Sequence, residues 1–562
     1  MFRLSLVPVA LLVAVAPATQ FPEAPAPRLV RPLPMFGGSP SRNMVNLADR
    51  GIPSNFNPAT GHNILWKVDL GSKSYAQPVV AGGKVFVGTN NNRPRNPRDT
   101  AKVGGEVEPI DRGVLMCFDE KTGTFLWQAV HDKLPSGIVN DWPQEGITSI
   151  PTVDGDRVYY VSNQCRVVCV DANGFADGNQ GFQGEKYNHP TDADVLWEFD
   201  MMKALGVFPH NASSGCPLIV GDLLFTQTSN GVDEGHLNVP APHAPSFICL
   251  NKNTGKLVWQ DSSPGRDIMH GQWAVPSYSA SPVPQVIFPG GDGWLRAFDP
   301  PTGRLLWKFD CNPKDAVYEL GGTGTRSDFI AAPVVYDDMV YIGVGQDPEH
   351  STGVGHVWCI DLRKAVGNAK RAPERDVSPT VVAAEVLRQG RRFVATEPNQ
   401  HSALNWTYGG DDTRRWTVRD FRFGRTLSTA CVVDDILYLP ELTGIVHCFH
   451  AQSGEHLWQY DTKASIWGAA YFVDGKVLVG TDSGDLFVFR HDKNPAKIDE
   501  LAVRGDDRKA ARLEIRAKRK EVEAKYLLAK IEFDVPIRGT PAVANGVLYV
   551  ATENTLYAIG AK

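Results

Sequence analysis

Apolar and polar residues alternate along most of this chain in short runs rich in β-branched and aromatic side chains, the pattern of half-buried strands. The runs come in groups of four. The first of each group starts beside a proline, as at 77–81, 150–154, 216–220, 332–336 and 540–544, or at an equivalent apolar stretch such as 275–279 and 469–473. The second follows an Asp/Gly pair suited to a tight hairpin, for example at 83–88, 156–161 and 475–480. The third leads into a turn, and the fourth ends in tryptophan. Seven copies of that last element end at Trp66, Trp127, Trp197, Trp259, Trp307, Trp406 and Trp458. Four of them carry a turn closing in Thr-Gly or Ser-Gly upstream, at 119–123, 251–255, 299–303 and 450–454.

A unit recurring along a whole chain predicts a repeat architecture closed into one body, where 562 residues would otherwise suggest several domains. First strands number eight. The fourth strands are the seven tryptophan copies and 530–534, where Ile531 stands for the tryptophan. The copy ending at Trp66 has no strands before it, and the last unit, 535–560, has no fourth strand after it. The economical solution is a ring in which the strand ending at Trp66 supplies the outer strand of the last unit, which removes exposed edges. The expected fold class is all-β: an eight-bladed β-propeller over 61–562, with insertions at 364–401 and 491–526. Two residues before each first-strand proline, or its equivalent, stand Ala76, Ser149, Gly215, Ala274, Ala331, Ser428, Gly468 and Gly539. Strands converging on an axis require such small residues. The tryptophans would fill the wedges between blades and keep an indole N–H for hydrogen bonding.

A net charge of -6 argues against a general nucleic-acid binder. At the N-terminus, Arg3 is the only charge before an apolar run over 4–15, and Ala16-Pro17-Ala18 offers a cleavage site. Residues 1–18 therefore read as a signal peptide and the protein as periplasmic or secreted. Residues 19–60, rich in Pro and Ala at their start, read as a flexible leader. Nine cysteines in an exported protein invite disulfides, but Cys117, Cys169, Cys249, Cys359 and Cys448 share one repeat position with Ala297 and Ala558. Equivalent positions of different repeats lie too far apart to bridge, so free buried cysteines are expected.

The turn-plus-tryptophan unit resembles the tryptophan-docking repeat of pyrroloquinoline-quinone (PQQ) propellers, over about residues 60–560. The segments 34–46 and 198–217 are also similar to exported bacterial PQQ-like proteins. The resemblance implies one of two functions. Quinoprotein alcohol dehydrogenases bind PQQ and Ca²⁺ in an eight-bladed ring. The propeller lipoprotein of the outer-membrane β-barrel assembly machine binds protein partners and no quinone. This chain has neither the adjacent cysteine pair on which the dehydrogenases stack PQQ nor a cysteine before Cys117 to carry a lipid.

Insertions gather on the face shared by the loops entering the first strands (131–147, 201–213, 310–329, 409–427) and those joining second to third strands (89–113, 229–245, 346–355). Function in propellers sits on such loops. Tyr75, Trp273, Trp467 and Arg538 stand three residues before the proline position, and His210, Arg326, Asp328 and Arg425 lie on entry loops nearby. Aromatics supply stacking surfaces and arginines suit carboxylates, as a tricarboxylate such as PQQ would need; alternatively these residues pack or solvate the loops. No two histidines show ligand spacing, and His210 alone is no metal site. Asp171, Asn173, Asp177 and Asn179 offer oxygens at short intervals, readable as a loose calcium loop or as a polar turn. Residues 364–401 are Arg-rich, irregular and expected to be exposed. Residues 505–530 look helical, with Ile515, Val522 and Tyr526 on one stripe, either packed on the rim or docking a partner. The leading expectation is an exported scaffold that binds a ligand or protein through its loop-rich face. The alternative is a PQQ-dependent oxidoreductase with a non-standard active site.

Overall fold

The computed structural model of the protein describes residues 31–321, 324–345, 354–388, 391–410, 421–498 and 507–561. The signal-peptide expectation for 1–18 lies outside them. Among the described residues, eight sheets of four antiparallel strands follow one another as blades, the one at 471–532 gaining a fifth strand, Val45–Asn46, parallel to Tyr471–Val473. Blade 1 is Val79–Ala81, Lys84–Asn90, Arg112–Asp119 and Phe125–Asp132. Blades 2 to 7 span 152–200, 218–261, 277–310, 334–409, 431–461 and 471–532. In blade 8 the outer strand is Ile64–Asp69, paired antiparallel with Thr555–Ile559. The ring thus closes through the strand carrying Trp66. The blades bury their apolar faces against each other, so the core is a ring of inter-blade layers rather than one centre.

The docking of the tryptophans follows a local rule. Five of them donate the indole N–H to a backbone carbonyl in the next blade's third-to-fourth turn: Trp66 to Glu120, Trp127 to Ala172, Trp197 to Lys252, Trp259 to Pro300 and Trp406 to Ala451, at 2.7–3.1 Å. The turn glycine lies flat on the ring. At Gly255, φ +67, a Cβ would stand 2.6 Å from Trp197 Cε3. Within each blade the tryptophan faces the small residue noted above: Cys117, Cys169, Cys249, Ala297, Cys359, Cys448 and Ala558 are each its cross-strand partner. A large ring opposite a small side chain keeps the layer at packing density. All nine cysteines are free and buried.

The rule changes where the next blade's turn is replaced by an insertion. Trp307 faces blade 5, whose third-to-fourth connection opens with helix Leu362–Ala369, and it donates instead to Gln285 Oε1 in its own blade at 2.7 Å. Trp458 faces blade 7, whose connection carries helix Arg508–Tyr526, and it stacks on Tyr526 at 5.2 Å. That helix lies on blade 6, with Arg519 4.8 Å over the Tyr460 ring and Val522 and Tyr526 buried. Blade 7 itself has no tryptophan. The residue opposite Val488, the Cys448 equivalent, is Ala529 and not Ile531, which pairs with Leu486. The helix runs straight into this strand and shifts the count by two. The insertion at 364–401 is also more regular than its composition suggests: beyond its helix, Thr380–Arg388 and Arg391–Pro398 pair as a hairpin.

The leader departs furthest from expectation. Residues 31–60 are not a flexible tether; they lie across one end of the central channel. Innermost strands of a propeller keep an unpaired edge towards the axis. This segment bonds to all eight blades. Leu33 pairs with Val80, and Pro34 O accepts from Val153 N–H. Pro40, Ser41 and Met44 carbonyls accept from Tyr278, Val335 and Phe472. Asn43 brackets Val432, Asn46 reaches Val543 O, and Arg31 N–H reaches Asn545. The fully buried Arg42 donates to the carbonyls of Phe36, Cys216, Pro217 and Pro276 at 3.0–3.3 Å. Composition suggested disorder because proline-rich chain makes few bonds of its own; here the strand edges supply the partners.

Candidate functional site

The end of the ring opposite the cap carries the loops. There the second-to-third connection of each blade meets the entry loop of the next, as in the bonds Ile147 N–H to Thr89 O, Val232 N–H to His270 O and Ile537 N–H to Thr481 O. The small-residue layer below is tight. Ser428 Oγ donates to Gly468 O at 2.8 Å, and a Cβ at Gly468 would stand 2.7 Å from Gly539 O. Side chains just above that layer therefore point over a narrow floor.

Three of the expected residues come together on blades 7, 8 and 1. The Tyr75 and Trp467 rings lie 6.1 Å apart. The Arg538 guanidinium sits between them, 5.7 Å from the first ring and 5.6 Å from the second, in range of cation–π attraction to both. Arg538 also bonds Asp482 at 2.7 Å and Glu553 at 2.5 Å. Lys73 pairs with Glu145 at 2.6 Å beside Tyr75. Burial, and then Glu145, push the Tyr75 phenol well above its ordinary pKa, so it is a neutral donor. This corner holds two cations, Lys73 and Arg538, against three carboxylates, Glu145, Asp482 and Glu553.

A second group forms on blades 3 and 4. His210, His236 and His270 have ring centroids 4.5–4.8 Å apart, and their ligand nitrogens all lie within 4.8 Å of one another. Trp273 packs on His270 at 4.8 Å and donates its N–H to Ala212 O at 3.0 Å. Sequence spacing does not announce this group: the three come from two entry loops and one insertion, 26 and 34 residues apart in sequence.

The remaining candidates do not join either group. Arg326 is a buried strut, bonded to Asp310 at 2.7 Å and Asp292 O at 3.0 Å. Asp328 bridges to Gly345, and Arg425 packs against Gly345 while its carbonyl takes Leu442 N–H. The four residues of the loose calcium loop make local bonds. Asp171 accepts Asn173 N–H, Asn173 bonds Lys84 and Asp177, and Asn179 bonds Glu185. A tricarboxylate held with calcium would need unengaged cations and converging oxygens. Arg538 and Arg326 already bond protein carboxylates, so the set named from the sequence does not fit that group.

Asp482, Glu553, Glu145, His236 and His270 were not singled out from the sequence. A signal existed for the first two: Thr481-Asp482 and Thr552-Glu553 occupy the same offset after their second strands. The others depend on loops with no repeat register.

The profile of the family described as outer membrane protein assembly factor BamB matches residues 89–180 and 291–494, just over half of the chain. This chain belongs to that PQQ-like propeller family. Among relatives of the family fold, polyvinylalcohol dehydrogenase of Sphingopyxis sp. (strain 113P3) is 31% identical over 131 residues, which is 22% of this chain and 19% of that protein. The match thus spans about a fifth of that relative's length. Quinohemoprotein alcohol dehydrogenase from Comamonas testosteroni has the same fold at 12% identity, with 96% of this chain and 82% of that one covered and a TM-score of 0.53. BamB from Moraxella catarrhalis aligns over 88% of this chain and 97% of its own at 13% identity, with a TM-score of 0.47. No helix among the described residues of this PQQ-like propeller is long and apolar enough to cross a membrane.

Proposed function

We propose that this PQQ-like propeller is an exported binding module whose loop face takes a hydroxyl-rich or cationic ligand, or a partner segment with those groups. The carrying observation is the Tyr75–Trp467–Arg538 corner with its surplus carboxylate. Two aromatic rings give a stacking surface, Glu145, Asp482 and Glu553 accept hydrogen bonds, and the arginine is held by its own acids. Polyanions are disfavoured there, because they would compete with two carboxylates for one guanidinium. Export rests on the 1–18 pattern. The test is tryptophan quenching of the mature chain by short polyvinyl alcohol, a neutral hydroxyl-rich probe, with Trp467→Ala as control. Saturable quenching that Trp467→Ala weakens roughly tenfold or more, the scale of a binding hot spot, supports the reading. Equal quenching in both proteins removes the corner from it.

The short similarity to a polyvinylalcohol dehydrogenase favours a second reading, a PQQ-dependent oxidoreductase with a non-standard site. It predicts saturable, Ca²⁺-dependent binding of PQQ. Absence of such binding in a titration with and without Ca²⁺ would leave the module reading alone.

A further inference from the structure

We infer that His210, His236 and His270 form a site for a divalent transition ion of the zinc class, with a fourth coordination position left for water or an oxygen ligand. Three imidazoles and no carboxylate make a donor set that suits Zn²⁺, Cu²⁺ or Ni²⁺ and not Ca²⁺ or Mg²⁺. Two of the rings are buried and the third is half-buried. His210 Nδ1 lies 2.8 Å from Val232 O. A carbonyl only accepts, so Nδ1 carries the proton and Nε2 keeps the lone pair a metal needs.

The backbone is shaped to bring the rings together. At Gly231 a Cβ would stand 2.6 Å from both His210 Cβ and His270 O, so any larger residue would part the two loops. His236 has φ +54, a left-handed conformation that costs a non-glycine residue ~1–3 kcal/mol. Asp233 holds it there: its carbonyl accepts His236 N–H at 3.0 Å, and its carboxylate takes Leu237 N–H and the Asn238 amide at 2.8 Å. Zn–N bonds of about 2.0–2.1 Å put tetrahedral nitrogens about 3.4 Å apart. The present spread, up to 4.8 Å, closes by a shift of His236 on its exposed turn.

The site goes beyond the ligand-binding reading and is independent of it: it is read on blades 3 and 4, whereas the quenching test is read on blades 7, 8 and 1. The experiment is calorimetric titration of the metal-stripped mature chain with Zn²⁺, with Co²⁺ absorption spectra in parallel. One ion per chain is expected, with the intense visible bands of four-coordinate cobalt. His236→Ala should weaken Zn²⁺ binding by at least the ~10–100-fold that even outer-shell changes cost. Because His236 sits on a surface turn, that variant should melt like the parent without metal and lose only the Zn²⁺-induced rise in Tm. His62→Ala, an exposed histidine elsewhere, should bind like the parent. Failure of the parent to bind a stoichiometric ion overturns the proposal, as does a folded His236→Ala that binds unchanged.

Discussion

The two ends of the central channel are finished by different chemistry. At one end, residues 31–46 pair backbone to backbone with inner-strand edges, and one buried arginine ties four carbonyls together. At the other, side chains from loops gather into an aromatic–acidic corner and a histidine cluster. The closed end answers a need that every blade has, an edge to be satisfied. The open end differs from blade to blade, and that is where recognition has room to arise.

Removing the tie at the closed end should have the largest effect. Arg42→Ala leaves carbonyls of Phe36, Cys216, Pro217 and Pro276 without their donor, at ~1–3 kcal/mol for each left dry. Allowing for water entry, a loss of about 3–5 kcal/mol in denaturant unfolding is expected, with loop-end binding unchanged in the folded fraction. A loss under about 1 kcal/mol would mean that the cap is dispensable.

Acid should separate the two ends. Burial pulls the Arg42 pKa down only to about 10, so the cap keeps its charge at any lower pH. His131, in the outer strand of blade 1 where it runs into the loop face, is pulled to about 4, first by burial and then by Arg166. Its Nε2 is 2.8 Å from Tyr160 Oη. The folded value lies below the unfolded one of about 6.5, so the unfolded chain binds the extra proton in between. Stability from this group is complete above about pH 6.5 and falls as pH drops towards 4, by ~3 kcal/mol at most. His131→Gln should flatten that part of the pH–stability curve, read by urea midpoints; an unchanged slope would place the acid sensitivity elsewhere.

The smallest effect is expected on the cap side of the blades. Asn179→Ala lies on a third-to-fourth turn whose oxygens face inward to local bonds. Its stability should stay within about 0.5 kcal/mol of the parent, and Ca²⁺ should shift the Tm of neither protein. A Ca²⁺-dependent shift lost in Asn179→Ala would restore the calcium-loop reading.

Legibility followed the repeat. Strands, blade count, closure at Trp66, the docking of tryptophans and the buried cysteines could all be read, because one interaction is made many times and each copy checks the others. The tryptophan position of blade 7 was misread as Ile531, since the helix before it has no counterpart to fix the register. Of eight candidate site residues, the four placed by repeat position all join a group: Tyr75, Trp467 and Arg538 in one, and Trp273 in the other beside His210. Arg326, chosen from a loop, is structural. His236 and His270 were passed over for the same reason: loop residues carry no register that shows which ones will meet.

The sequence by itself therefore determined the ring, its eightfold count and the face that carries the loops. These follow from short-range periodicity and from packing that recurs in every blade. Tertiary structure alone decided that the leader caps the channel, that Arg538 is held by Asp482 and Glu553, and that three distant histidines converge. Closing the ring brings blade 8 beside blade 1 and one blade's insertion beside the next blade's entry loop, and such proximity depends on the closure of the whole chain.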